Sequence, residues 1–297
     1  MSKQFTALAI LKLQELGKLR VTDRVCQHIA PCPAAWERVT VQHLLVHTSG
    51  IPSFTGLPRY PSFSTTTLTP EQLIGLFRDR TGEFRPGSQY KYSNSGYALL
   101  GYLIERLSGV SYADFLRRQI LDPLGLSETG YDVNHPTAKA HAVGYVPPDD
   151  SPARFIDMSV FLGAGALYSS VGDLYRWNRF LLTGTPAIVD AATLAEMFTP
   201  RVVVTDPRAL IDPARPPWRG YVGVVYTPTT DRTYVHAGGI DGFTSYNLIK
   251  PRDQLSVTIL TNRGGVEWAG VAWHLAALAI GPEGCQLSIC TAVPRTN

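Results

Sequence analysis

Apolar residues recur at Phe5, Leu8, Ile10, Leu11, Leu13 and Leu16, and Gly17 follows. That spacing predicts a buried helix over 4–16, beginning almost at the first residue and stopping at the glycine. VTVQHLLVHTSG (39–50) predicts a short helix ended by Gly50. Thr69-Pro70-Glu71 gives an N-cap followed by proline at the first helical position, so a helix is expected from there to about Arg80. Leu99, Leu100, Leu103, Ile104 and Leu107 mark a strong helix after an extended piece, and Ser111 can cap another reaching Ile120. Residues 170–182 and 191–198 are also helical in pattern. Loops are expected over 20–36 and 51–68, and 121–168 reads as mostly irregular. Then the period changes. YVGVVYT (221–227), TYVH (233–236), FTSYNLIK (243–250) and LSVTILTN (255–262) read as strands, with PRDQ (251–254) as a hairpin turn. A helix over 266–280 and a polar tail close the chain.

Grouped helices followed by grouped strands imply an α+β fold, an antiparallel β-sheet flanked by helices with an inserted, mostly helical subdomain. We expect one unit over 1–281. Its helical subdomain covers about 26–200, its sheet part covers 1–25 plus 218–281, and 282–297 is a tail. The 297 residues are 44% hydrophobic and 17% charged, enough for a large core. The net charge of +3 is scattered, so nucleic acid is not an expected partner. No apolar run is long enough for a transmembrane segment; VEWAGVAWHLAALAI is interrupted by Glu267 and His274. Cys26 with Cys32, and Cys285 with Cys290, are close pairs that admit free buried thiols or disulfides of an exported protein.

Three short stretches do not look like packing. In YSN, Tyr92-Ser93-Asn94, the plain reading is a helix cap, and in HAGG, His236–Gly239, it is a turn between strands. Lys3 alone would be a solvated surface lysine. His43 and His47 stand four apart, but Leu44 occupies the place where a zinc protease needs Glu, so no metal site is expected. No G-x-S-x-G is present, which argues against an α/β-hydrolase nucleophile elbow.

Taken in order, Lys3, YSN and HAGG resemble the three motifs of the serine β-lactamase and penicillin-binding-protein family: S-x-x-K, Y-x-N and H-x-G. LLVHTSGIPSF, FRPGSQYKYSNSGYALLGYLIE, ILDPLGLSET, GAGALYSSVGDLYRW and HAGGIDGF extend the likeness over about residues 2–280. The resemblance implies an acyl-enzyme serine hydrolase needing no cofactor. Lys3 and Tyr92 would move the protons, Asn94 would bond Lys3 and the substrate, and His236 would place the substrate or polarise Tyr92. Gly238 and Gly239 would line the oxyanion and substrate site. Positive charge from Lys3, and from His236 if protonated, should lower the Tyr92 pKa enough to make a phenolate base. An H-x-G third motif tilts the expected substrate, a small molecule or peptide, toward an ester or D-amino-acid peptide over a β-lactam.

The motif serine belongs three residues before Lys3, ahead of Met1. The expectation is therefore a chain lacking its nucleophile and N-terminal strands, inactive as written, with LSVTILTN left as a sheet edge. One residue of helix turns a side chain by roughly 100°, so Ser2 should point away from the Lys3 face. The alternative is a non-catalytic binding protein of the same fold. The family's substrates and the cysteine pairs suggest a periplasmic or extracellular parent.

Overall fold

The computed structural model describes residues 1–132, 141–206, 217–226 and 232–281. In chain order its helices are α1 (Ser2–Glu15), α2 (Val41–Leu45), α3 (Tyr60–Phe63), α4 (Pro70–Gly75), α5 (Asn94–Ser108), α6 (Tyr112–Leu116), α7 (Val171–Thr183), α8 (Ala191–Phe198) and α9 (Ala269–Ile280). The strands are β1 (Gly130–Tyr131), β2 (Tyr145–Val146), β3 (Ser151–Pro152), β4 (Leu167–Tyr168), β5 (Val202–Val203), β6 (Trp218–Arg219), β7 (Val224–Tyr226), β8 (Thr233–Ile240), β9 (Phe243–Lys250) and β10 (Leu255–Thr261). Among the described residues, β5 to β10 form one antiparallel sheet in sequential order, with β10 as a terminal strand. The α+β reading holds.

The sheet's pleat sorts its two faces. On β9, Tyr246 and Leu248 join Trp273, Ala272 and Ala276 of α9, whereas Ile249 joins the main core that contains α1. On β8, Val235 lies on the α9 side and Tyr234 on the α1 side. Period-two alternation therefore turns His236, two residues after Tyr234, toward α1. Asn178 of α7 bonds Asn247 at 2.8 Å and Thr258 at 3.0 Å, tying that helix to the same face of the sheet.

Helix α1 is the central element: Ser2 to Leu11 and Leu13 are all buried. Its polar side chains need partners, and they have them. Gln4 Oε1 accepts from Trp177 Nε1 at 2.8 Å, and Thr6 Oγ1 reaches the Gly163 carbonyl and Tyr112 Oη, each at 2.7 Å. Ser2 Oγ accepts from the Leu167 N–H at 3.2 Å. Ser2 is thus bound to the β4 backbone.

Several boundaries moved. The helix expected to end at Gly50 stops at Leu45, and the one expected to reach Arg80 stops at Gly75. Thr69 and Ser111 cap as expected, but the helix after Ser111 changes to a π turn at Arg117. HAGG is not the end of a strand. Strand β8 runs through Gly238 and Gly239 to Ile240, and Asp241-Gly242 make the hairpin turn. The two-residue strands β5 and β6 had no periodic signal to find. Cys26 and Cys32 are disulfide-bonded; Cys285, Cys290 and the tail 282–297 lie outside the described residues.

Candidate active site

Four pieces of chain meet at the first turn of α1. The first is α1 itself, which buries Lys3 to 4% exposure. The second is the start of α5. Ser93 is its N-cap: Ser93 Oγ accepts from the Gly96 N–H at 3.4 Å and donates to the Ile51 carbonyl at 2.9 Å. This fixes Asn94 at the first helical position, with Tyr92 just ahead of it. The expected cap is therefore real, and the same turn presents two candidate site residues.

The third piece is the 161–164 segment. It presses on α5 because both contact residues are glycines. A Cβ on Gly101 would sit 2.7 Å from Gly163 N, and one on Gly163 would sit 2.6 Å from the Tyr97 carbonyl oxygen. That approach delivers the Ala164 carbonyl to Lys3. The fourth piece is β8, where a Cβ on Gly238 would lie 3.1 Å from Met1 N, so α1 abuts the strand there. A Cβ on Gly239 would meet nothing within 4 Å.

Lys3 Nζ donates to Asn94 Oδ1 at 2.8 Å and to the Ala164 carbonyl. It lies 4.9 Å from the Tyr92 ring centroid and 5.4 Å from that of Tyr97. Tyr92 Oη donates to the same Asn94 Oδ1 at 3.2 Å. Asn94 Nδ2 donates to Thr55 Oγ1 at 3.1 Å, which orients the amide with its oxygen toward Lys3 and Tyr92. The bond expected between Asn94 and Lys3 is present.

Burial first, then the Arg219 guanidinium, pulls the Lys3 pKa down from 10.5 to about 7. A neutral amine has two hydrogens. Asn94 Oδ1 and the Ala164 carbonyl can accept both, and the lone pair of the neutral form is then left to take a proton.

The electrostatics reverse the phenolate expectation. Burial pushes Tyr92 up to about 12, with Arg219 opposing it. With 42% of the residue open to solvent, what stands is the direction: the phenol keeps its proton at neutral pH. Nor is His236 a cation. It is 6% exposed, its Nδ1 pairs with the Ala237 carbonyl at 2.8 Å, and its Nε2 has no partner. Burial, then the neighbouring chain-terminal amine, Arg219 and Lys3, hold its pKa well below 6.5. It makes no hydrogen bond to Tyr92.

Two residues not expected at the site belong to its walls. His47 has a left-handed backbone, φ 60°. Its carbonyl accepts from Lys91 N–H at 2.9 Å, its Nδ1 accepts from Ser93 N–H at 3.2 Å, and its ring lies 4.5 Å from that of Tyr92. It clamps the segment that carries Tyr92. Arg219 on β6 is 3% exposed and acts electrostatically on Lys3, Tyr92, Tyr97, His47 and His236. Trp218-Arg219 follows a proline-rich stretch with no recognisable spacing, so no sequence signal marked it. Among the described residues no cluster of His, Cys, Asp or Glu is arranged to hold a metal. A cleft of about 530 Å³ beside Gln14, Lys18, Arg20 and Glu196 lies at the opposite end of α1, away from this convergence.

Helices packed on an antiparallel sheet, with Lys3, Tyr92–Asn94 and His236–Gly239 around one helix terminus, give the fold of the β-lactamase-related hydrolases. The β-lactamase family profile matches residues 1–280, and the chain belongs to that family. It is 32% identical to penicillin-binding protein 4* of Bacillus subtilis over 61% of this chain and 43% of that protein. It spans about half the length of the curated relatives it matches. The octameric penicillin-binding-protein homologue of Pyrococcus abyssi superposes with a TM-score of 0.80 at 30% identity, over 94% of this chain and 64% of that one. The D-amino acid amidase of Ochrobactrum anthropi, complexed with D-phenylalanine, superposes at 0.76 with 25% identity, over 94% and 90%.

Proposed function

We propose that this chain carries the acid–base machinery of a serine acyl-transfer hydrolase acting on D-amino-acid amides, peptides or esters in preference to β-lactams. The observation that carries the reading is Lys3: an enclosed amine, pulled to about 7, with acceptors for both hydrogens and its lone pair left to take a proton. The resemblance assigns the nucleophile to a serine three residues before Lys3, outside this sequence. In the acylation step the Lys3 amine takes the serine hydroxyl proton as Oγ bonds the substrate carbonyl carbon. The bond to the leaving amine or alcohol then breaks, and that group receives a proton from the ammonium or from the Tyr92 phenol. Tyr92 is therefore a proton donor, its phenol held by Asn94. Asn94 fixes both groups, and the β8 backbone at Gly238 and Gly239 faces the substrate.

The resemblance to an amidase that binds D-phenylalanine supports the substrate class. The H-x-G form of the third motif supports it independently. The Cys26–Cys32 disulfide supports an oxidising compartment, periplasmic or extracellular.

The test compares the 297-residue chain with a version extended upstream from its own source DNA. The extended protein is expected to label with a fluorophosphonate at the serine three before Lys3. It should hydrolyse D-phenylalanine amide and p-nitrophenyl esters faster than nitrocefin. The 297-residue chain by itself is expected to do neither. Stoichiometric labelling of that chain at Ser2, or a residue other than serine upstream, would sink the mechanism; faster nitrocefin hydrolysis would sink the substrate preference.

A further inference from the structure

Arg219 lacks what a structural arginine ordinarily has. It is 3% exposed, yet its Nε and Nη2 have no hydrogen-bond partner. No ion pair joins it to a carboxylate among the described residues. Arg201, in the same part of the fold, shows the contrast: its guanidinium pairs with Glu196 at 3.3 Å and lies 4.2 Å from the Tyr221 ring centroid. A buried guanidinium without a counter-ion costs folding free energy, and such groups concentrate where chemistry needs them.

Its surroundings say what that need is. Arg219 hydrogen-bonds Tyr97, whose hydroxyl donates to the Leu45 carbonyl at 2.9 Å. The ring of the same Tyr97 lies 5.4 Å from Lys3 Nζ. Tyr97 therefore stands against two cationic side chains in one enclosure. Aromatic faces tolerate a cation but do not neutralise it. A guanidinium does not give up its proton, whereas an ammonium does. The repulsion is relieved when Lys3 becomes an amine.

We propose that Arg219 is a positioning residue whose unpaired guanidinium, sharing the Tyr97 enclosure with Lys3, keeps the Lys3 amine in its proton-accepting form. The other groups around Lys3 cannot replace it. Asn94 and the Ala164 carbonyl are neutral, and Tyr92 and Tyr97 hold their protons. His47, His236 and the Met1 amine are themselves pushed toward neutrality by burial and by these same cations. The direction of the Lys3 shift, with burial first and Arg219 second, agrees with this arrangement.

The proposal rests on Lys3 being the base, so its test reads the Lys3 proton and not turnover. The ¹³Cε resonance of Lys3 is titrated in the 297-residue chain, in Arg219→Met and in Arg219→Gln. Arg219→Gln removes the charge and keeps an N–H donor for Tyr97, so it separates the charge from the hydrogen bond. The wild-type midpoint is expected near 7. Both variants should raise it by about one pH unit or more. Thermal unfolding of Arg219→Met should be unchanged or later, since an uncompensated charge is gone; a merely structural arginine would unfold earlier. If Arg219→Met fails to fold, Arg219→Gln decides alone. A midpoint that stays near 7 in the folded variants overturns the role of Arg219 and leaves Lys3 as the base. A wild-type midpoint near 10.5 overturns both.

Discussion

The two sides of the Lys3 pocket are built on opposite plans. On the α5 side the polar atoms are paired: Asn94 bonds Lys3, Tyr92 and Thr55, and Ser93 bonds Gly96 and Ile51. Toward His47 and the sheet, His47 Nε2, Arg219 Nε and Nη2, and His236 Nε2 are buried without partners. Paired polar atoms hold a geometry. Unpaired buried ones cost stability and keep their hydrogen-bonding capacity and charge for something else. The comparison teaches that the α5 side is the frame, and the other side sets the electrostatics.

The largest expected effect breaks the link between stability and activity. In the serine-bearing protein, Lys3→Met should cost about 10³-fold or more in kcat for ester hydrolysis, the scale of losing a general base. It should also raise resistance to denaturant at neutral pH, because a desolvated amine is removed. Loss of activity together with loss of stability would place Lys3 on the framing side instead.

Next comes Asn94→Ala on the framing side. It strips a shared acceptor from Lys3 and Tyr92, and a partner from Thr55. Activity should fall by about 10²-fold, and stability by about 1–3 kcal/mol, the cost of leaving buried groups unsatisfied. Parallel kinetics and denaturant unfolding check that both fall.

The pH dependence of stability sharpens the contrast further. Lys3 has its folded pKa lowered from 10.5 to about 7. Below about 7 it is charged in both states, and the folded protein bears the full cost. Between 7 and 10.5 the unfolded chain holds a proton that the folded chain has lost, so stability climbs by up to a few kcal/mol. His47 and His236, both lowered, add climbs of their own below 6.5. Tyr92, raised above 10, works the other way: above pH 10 the unfolded chain loses a proton that the folded chain keeps, and stability falls. Denaturant midpoints from pH 8 to 10 should rise in the wild type and stay flatter in Lys3→Met.

The smallest effect belongs to the cap. Ser93→Ala should cost about 1 kcal/mol of stability and leave kcat within a few-fold, since its hydroxyl touches only backbone. A large loss of kcat at unchanged stability would move Ser93 out of the frame.

Local signals carried much of this molecule. Apolar spacing marked α1 and α5, alternation marked β9 and β10, and the cap residues Thr69, Ser111 and Ser93 lie where helices start. Lys3, Tyr92, Asn94 and His236 were legible through motif order, and the Lys3–Asn94 bond follows from it. The lengths of α2 and α4 were not legible, because short helices stop where tertiary packing stops them. Strand β6 was not legible either, because two residues hold no period.

What the sequence by itself determined is the longer elements, the family, and Lys3, Tyr92, Asn94 and His236 as candidates at the end of α1, since periodicity and motif order are local properties of the chain. What only the tertiary structure decided is their protonation. Burial keeps the proton on Tyr92 against the pull of Arg219, and burial together with the Arg219 guanidinium, brought to Lys3 across more than two hundred residues of sequence, strips one from Lys3 in a low-dielectric interior. Distance in space and loss of water set a pKa, and neither is written in the spacing of residues along the chain.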